Sequence, residues 1–376
     1  MPPRITLHCA DPIVAADGVV VTADMGRVTC ERIFNDFSRH FPGVRLHADT
    51  AAAHVDRLGQ VSSYPLFGAV LHPGAEEPPL NLVIKFAPVF DVNNEGLTEY
   101  RHLQLMHQRL DGRASLRVPR PLDFFPDLNA LVMERVGGRR FSGVILAAAG
   151  RLAPAADADR LQQSAQLCGE WLAAYHDATR AADSAPFDGT FLARVEEKLV
   201  DFRRHGFPDA VADEVARSAR LLHEWGSSRR VRCADQHGDY GPQNVHVGDG
   251  CVYVFDLNYN VAAPVYEDVD YFLVTLETMN PYPRQWLFDR ARVAAMREPF
   301  LTGYFAGAAP DPERELCLEG YYLKSLLFRC AKQRRNTTRR GRAALAGFDA
   351  LRLRGWYAQR LRRQCELVQR WLGGAP

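Results

Sequence analysis

The chain lacks a dominant charge: 46 Lys and Arg stand against 45 Asp and Glu, for a formal net charge of +1. Bulk electrostatics therefore offer nothing to a polyanion, and nucleic acid is disfavoured as a partner. No Cys-x-x-Cys pair occurs either. The 8 cysteines (Cys9, Cys30, Cys168, Cys233, Cys251, Cys317, Cys330 and Cys365) lie far apart. That spacing argues against a zinc ribbon or thioredoxin-like pair and reads as separate thiols in a reducing compartment. Apolar runs such as "VILAAA", from Val144, fall far short of the roughly 18 residues a membrane span requires. The opening "MPPRITLHCADPIVAADGVVV" is interrupted by Asp11, Asp17 and Gly18, so it does not read as a secretory signal, and the expected compartment is the cytoplasm. Internal repeats and low-complexity tracts are also missing.

What is present is ordinary globular material. With 376 residues, 47% apolar and 24% charged, the chain can bury a large core over two lobes or domains without a disulfide or metal. Residues 1–50 read as a short mixed extension, with Ile33, Phe34, Phe37 and Phe41 at helical spacing. From His54, "HVDRLGQVSSY", "PLFGAVLH" and "NLVIKFAPVF" read as three strands of an antiparallel meander, with "HPGAEEPP" a loop. An amphipathic helix follows, marked by Leu97, Tyr100, Leu103, Leu105 and Leu110, with Asn94 at its cap. Two further strand-like pieces end at Met133–Gly138, a hinge. Beyond it, helical periodicity returns near Ser164–Thr179, Phe191–Phe202 and Val211–Trp225, and again from Asp268 onward. "AAAGRLAPAADADR" reads as an exposed connection. The expectation is an α+β chain: an extension (1–50), a small strand lobe with hinge (51–138) and a larger, mostly helical lobe (139–376).

One stretch interrupts the helices: "HGDYGPQNVHVGDGCVYVFDLNYN", His237 to Asn260. Gly248-Asp249-Gly250 predicts a tight hairpin turn. Asn244 begins the first strand and Asp256 ends the second, so both belong to one end of an antiparallel pair whose strands run about 4.8 Å apart. An amide oxygen and a carboxylate there suit a magnesium ion, which takes oxygen ligands and uses few protein groups. Asp239, a short turn before Asn244, is then placed to orient or deprotonate a nucleophile, as phosphoryl transfer requires.

"HGDYGPQN" followed by "VFD" resembles the catalytic loop and metal-binding segment of the aminoglycoside phosphotransferase and choline kinase-like family. The likeness spans roughly residues 54–280. It implies a protein-kinase-like two-lobe fold with a small antiparallel-sheet N-lobe and a helical C-lobe. It further implies ATP, or GTP, and Mg2+ as cofactors, Asp239 as the catalytic base, and Asn244 and Asp256 as metal ligands. "LVIKFA" resembles the kinase V-A-I-K strand, which makes Lys85 the phosphate-binding lysine. Glu99 would be its helix partner, with Glu95, one turn earlier, as the competitor. "LVMERV" matches the hinge, whose backbone from Glu134 to Val136 would bond adenine. Asp268, in "PVYEDVDYFLVTL", would buttress the catalytic loop, and His237 would anchor backbone. Core packing is the expectation for Tyr259, Tyr266 and Tyr271, and a structural or solvated role for His102 and His176.

Two departures stand out. The nucleotide loop has no G-x-G-x-x-G and offers Ser62 and Ser63, within "GQVSSYPLFG", in its place. Leu257-Asn258 follow Asp256 where the family carries an aromatic residue and an acid, which leaves a second metal open. The implied function is transfer of a γ-phosphoryl group to the hydroxyl of a small molecule: a sugar, aminoglycoside, amino alcohol or glycolipid. The alternative is a catalytically silent nucleotide-binding or scaffold protein. A basic run from Arg329 to Arg363 is offset by Asp349 alone. It reads either as a solvated helical face or as a surface for an anionic acceptor or membrane.

Overall fold

The computed structural model describes the chain except residues 1–3, 8–12, 15–19, 48, 62–63, 88–94, 188–189, 205, 260, 280–287, 340–342 and 375–376. Contacts divide it into two units, Met1–Arg139 with Val245–Asn260, and Arg140–Asn244 with Val261–Pro376.

The first unit is organised by a sheet whose strands alternate apolar residues. Strands β2 (Ala52–Val61), β3 (Tyr64–His72) and β4 (Leu80–Phe86) form the expected antiparallel meander, with Val55 opposite Ala69 and Ala69 opposite Leu82. Strands β6 (Pro121–Phe125) and β7 (Ala130–Glu134) extend it beyond β4. At the other edge β1 (Arg4–Leu7) pairs in parallel with β2, so the six-stranded sheet is mixed, in the order β1-β2-β3-β4-β7-β6. Helices α1 (Ala23–Asn35) and α2 (Phe37–His40) pack onto this sheet. Cys30, Ile33, Phe34, Phe37 and Phe41 share one core with Ala53, Val55, Phe67, Ile84 and Val132. The residues expected to form an extension therefore supply a wall of this core. Their large apolar side chains are worth about 1.5–3 kcal/mol each when buried, which is why they do not stand apart. Helix α3 (Glu95–Arg109) buries Leu103 and Met106 against β6 and β7.

The hairpin of β8 (Val245–Gly248) and β9 (Cys251–Val254) pairs Val245 with Val254. Asp249 and Gly250 turn it with φ of 52° and 71°, the left-handed pair a two-residue hairpin loop demands. It was expected within the helical lobe, yet its contacts group it with the first unit. The reason is pairing: β9 runs parallel to β5 (Leu116–Arg117), with Val252 opposite Leu116. Gly138, at φ 85°, backs onto the same hairpin; a Cβ there would lie 2.9 Å from the Val247 carbonyl oxygen.

The second unit is helical: α4 (Phe141–Ala148), α5 (Ala155–Ala178), α6 (Phe191–Arg204), α7 (Asp209–Gly226), α8 (Tyr266–Glu277), α9 (Arg290–Ala294), α10 (Arg297–Tyr304), α11 (Pro312–Arg339) and α12 (Ala343–Gly374). Helix α5 starts inside the stretch expected to be an exposed connection. It meets α10 backbone to backbone: a Cβ on Gly169 would sit 2.0 Å from the Phe300 carbonyl oxygen, and one on Gly303 2.2 Å from that of Gln166. Helix α11 packs against α6, α8 and α12. Among the described residues no helix is long and apolar enough to cross a membrane. The described cysteines are free thiols, and burial pushes Cys30 and Cys317 up to about 12.

Candidate functional site

In the first unit the site grows from Lys85, which lies on β4 between Leu66 of β3 and Leu131 of β7. A lysine in a central strand has no water to turn to, so its ammonium must find carboxylates. It finds two: Nζ lies 2.6 Å from Glu99 Oε2 and 2.5 Å from Asp256 Oδ1. Lys85 is 5% exposed and Glu99 2%. Burial alone would lower the lysine pKa, but Glu99 and Asp256 reverse this and hold it above its ordinary value. Burial raises Glu99, against the pull of Lys85, and the Asp256 backbone N–H also bonds that carboxylate. Glu99 is thus a partner of Lys85, while Glu95, one turn earlier, lines a small cavity beside Lys85, Gly96 and Asn258.

Asp256 adopts φ 62°, a left-handed conformation unusual for any residue but glycine. The backbone just after it is fixed from α3, where His102 Nδ1 lies 3.0 Å from the Leu257 carbonyl oxygen. At the hinge, the Glu134 and Arg135 N–H groups donate to the carbonyls of Arg120 and Asn81, at 2.9 and 2.8 Å. Of the segment expected to meet adenine, Val136 is the residue whose N–H has no backbone acceptor among the described residues. Glu134, Val136, Leu116, Val118 and Tyr253 line a cavity of about 460 Å³. Ser62 and Ser63, expected at the nucleotide loop, lie outside the described residues, as does Asn94.

In the second unit the loop carrying Asp239 hangs from Asp268, on the first turn of α8. The N–H groups of His237 and Gly238 donate to Asp268 Oδ2 and Oδ1 at 2.7 and 2.9 Å. His176 Nε2 lies 3.2 Å from the same carboxylate, and its Nδ1 2.8 Å from the Tyr304 hydroxyl. The α5–α10 approach at Gly169 and Gly303 is what brings His176 and Tyr304 together. Next to the loop, Tyr240 stacks on Trp171 and donates to the Cys168 carbonyl at 2.7 Å. The Asp239 carboxylate itself is exposed. Oδ1 accepts from Gln243 Nε2 at 3.2 Å and from the Tyr271 hydroxyl; Oδ2 accepts from Asn244 Nδ2 at 3.0 Å. Burial raises the Tyr271 pKa and Asp239 adds to it, while Arg329 pulls the other way.

Each expected metal ligand is described within its own unit. Both side-chain hydrogen bonds given by Asn244 leave from Nδ2, to Asp239 O and Oδ2, so its amide oxygen carries the ligand capacity. Asp256 Oδ1 accepts from Lys85, and its side chain is 33% exposed. Each is an oxygen donor of the kind a hard cation takes. Among the described residues no group of three His, Cys, Asp or Glu is arranged to hold a metal ion.

Tyr271 was not expected at Asp239. Tyr271 was assigned to core packing, as Tyr266 does by stacking on Tyr321. No local motif announces that contact. Of the basic run, Arg360 is tied to Glu277 at 2.5 Å and Arg362 to Glu214 at 4.0 Å. The side chains of residues 331–353, Arg339 and Arg340 among them, lie outside the description.

The model of the Phosphotransferase enzyme family (APH) matches residues 75–316. No curated protein matches the chain. Among solved structures, a glucosamine kinase in complex with glucosamine, ADP and inorganic phosphate aligns with TM-score 0.53 and 16% identity, covering 84% of this chain and 81% of its own. An amicoumacin kinase in complex with AMP-PNP and Ca2+ aligns with TM-score 0.50 and 14% identity, covering 89% of this chain and 96% of its own. At such identities the likeness is one of fold: a small mixed-sheet lobe and a larger helical lobe, as in protein kinases.

Proposed function

The chain belongs to the phosphotransferase enzyme family, of protein-kinase-like fold, and from that premise we propose that it transfers the γ-phosphoryl group of ATP, or GTP, to a hydroxyl of a small molecule. The observation that carries the reading is the buried contact of Lys85 with Glu99 and Asp256. A cation locked in position by two carboxylates is pre-oriented for phosphate oxygens and needs no reorganisation to meet them. Asp239, exposed on a loop anchored by Asp268, is the group that accepts the proton of the acceptor hydroxyl. As the oxygen of that hydroxyl bonds to phosphorus, the bond from phosphorus to the departing nucleoside diphosphate breaks. Asn244 and Asp256 would each serve as an oxygen ligand for magnesium, which when bound supplies charge neutralisation for the phosphates. Asn244 also steadies Asp239 through Oδ2. The Val136 N–H and the Glu134 carbonyl are the hinge groups offered to the base of the nucleotide.

The test is Asp239→Ala with radiolabelled nucleotide and a panel of sugars, amino alcohols and hydroxy acids. Turnover should fall by at least about a thousandfold, roughly 4 kcal/mol of barrier, with nucleotide still bound. Transfer at the wild-type rate by this variant would falsify the assignment of the base. Nucleotide binding without transfer to any acceptor would favour the silent scaffold.

A further inference from the structure

We infer that Tyr271 is itself a phosphoryl acceptor: with nucleotide bound and no small molecule on Asp239, the chain phosphorylates its own Tyr271 hydroxyl. This goes beyond transfer to a small molecule and rests on the same assignment of Asp239 as the base.

The placement comes from contacts within the second unit. The Tyr271 hydroxyl donates to Asp239 Oδ1, the bond a hydroxyl makes to a general base before giving up its proton. Helix α8 fixes both ends of that bond. Asp268, on its first turn, accepts from the His237 and Gly238 N–H groups at 2.7 and 2.9 Å and so holds the loop. Tyr271 follows Asp268 by three residues, on the same face of the helix. Two amides also hold the carboxylate: Gln243 Nε2 lies 3.2 Å from Oδ1 and Asn244 Nδ2 3.0 Å from Oδ2. Its orientation therefore does not rest on the phenol alone.

Other tyrosines of this unit show what is unusual here. Tyr240 and Tyr321 are buried and donate to the backbone carbonyls of Cys168 and Phe187, at 2.7 and 2.9 Å. A carbonyl takes no proton at neutral pH, so those hydroxyls have no base. Tyr271 is half-buried, and the carboxylate it meets is exposed. Burial and Asp239 raise the Tyr271 pKa, so the phenol keeps its proton at neutral pH and must lose it during the reaction. In the step the Tyr271 oxygen bonds to the γ-phosphorus, its proton passes to Asp239 Oδ1, and the bond from phosphorus to the departing nucleoside diphosphate breaks. Delivery of the γ-phosphoryl group to an oxygen held by Asp239 is already required of any acceptor. The phosphotyrosine carries a charge of about −1.5 to −2 at neutral pH and bars other hydroxyls from the base. A chain supplied with nucleotide but no acceptor thus switches itself off.

The experiment incubates the full chain with Mg2+ and γ-labelled ATP or GTP, without acceptor, and maps the phosphate by peptide mass spectrometry. Tyr271 should carry it. The labelled fraction at each time should be unchanged when the chain is diluted, as transfer within one molecule demands. Asp239→Asn keeps an oxygen for the phenol to bond but removes the base, and should slow the labelling by at least about a hundredfold. A thermal melt of the same sample shows that this variant is folded. Tyr271→Phe should lose the label rather than pass it to another tyrosine. An unmodified Tyr271, labelling that slows on dilution, or labelling at the wild-type rate in Asp239→Asn overturns the inference. Transfer to a small molecule by a chain whose Tyr271 stays unmodified removes this inference alone and leaves the phosphotransferase reading standing. Labelled Tyr271 with no acceptor found in the panel does the reverse.

Discussion

The two units hold their buried charges in different ways. The first brings two acids, Glu99 and Asp256, onto one lysine, Lys85. The second suspends its loop from one buried carboxylate, Asp268, through backbone N–H groups. In the first, two acids share one lysine, so losing either leaves the ammonium a partner. In the second, Asp268 is a hub without a deputy, because the His237 N–H and His176 that it holds are buried. The first arrangement should therefore tolerate single neutral substitutions better than the second.

The largest effect should come from the hub. Asp268→Ala strands two backbone N–H groups and His176, and unfolding stability should drop by roughly 3–5 kcal/mol, read from the urea midpoint at unchanged slope. A loss below about 1 kcal/mol would mean the loop is held some other way. Glu99→Gln should cost less, roughly 1–3 kcal/mol, because Asp256 still faces Lys85. If it costs as much as the hub substitution, the sharing argument is wrong.

The lysine also gives the first unit a signature in pH. Its folded pKa is raised by Glu99 and Asp256 against burial. The stabilisation is therefore present in full below the unfolded lysine value, about 10.4, and is lost as pH rises through the folded value. The stability gap between wild type and Lys85→Met should stay flat from neutral pH to about 10 and narrow only above that. A gap that changes near neutrality would assign it to another group. The smallest effect belongs to Tyr271→Phe, which removes one hydrogen bond to an exposed carboxylate: about 1 kcal/mol or less in stability.

How far these arrangements could be read from the residues depends on the distance over which they are encoded. The loop, the hairpin and the strand bearing Lys85 are written in contiguous runs, so Asp239, Asn244, Asp256 and Lys85 could be named from motif and turn chemistry. The meander followed from alternation alone. Glu99 and Glu95 lie one turn apart on the same face of α3, and periodicity has no means of ranking them; the depth of Lys85 in the sheet does. Tyr271 comes to Asp239 from α8, more than thirty residues along the chain, with no local pattern to mark it. The wall made by Ile33, Phe34, Phe37 and Phe41 showed its amphipathic spacing but not its target. The hairpin's allegiance was hidden for a similar reason: β5 is only Leu116–Arg117, too short to declare itself a partner.

The left-handed backbone at Asp256 sets folding and chemistry at odds over one position. Glycine would adopt φ 62° without the steric penalty of roughly 1 kcal/mol that a side chain pays there, and Glu99 would still neutralise Lys85. A library of this chain sorted only for heat resistance should accordingly accept glycine at 256, and so enrich molecules that endure and do nothing. Sorting for turnover should keep the aspartate. The ratio of the two enrichments at this codon would measure how much robustness the protein forgoes to keep a carboxylate there.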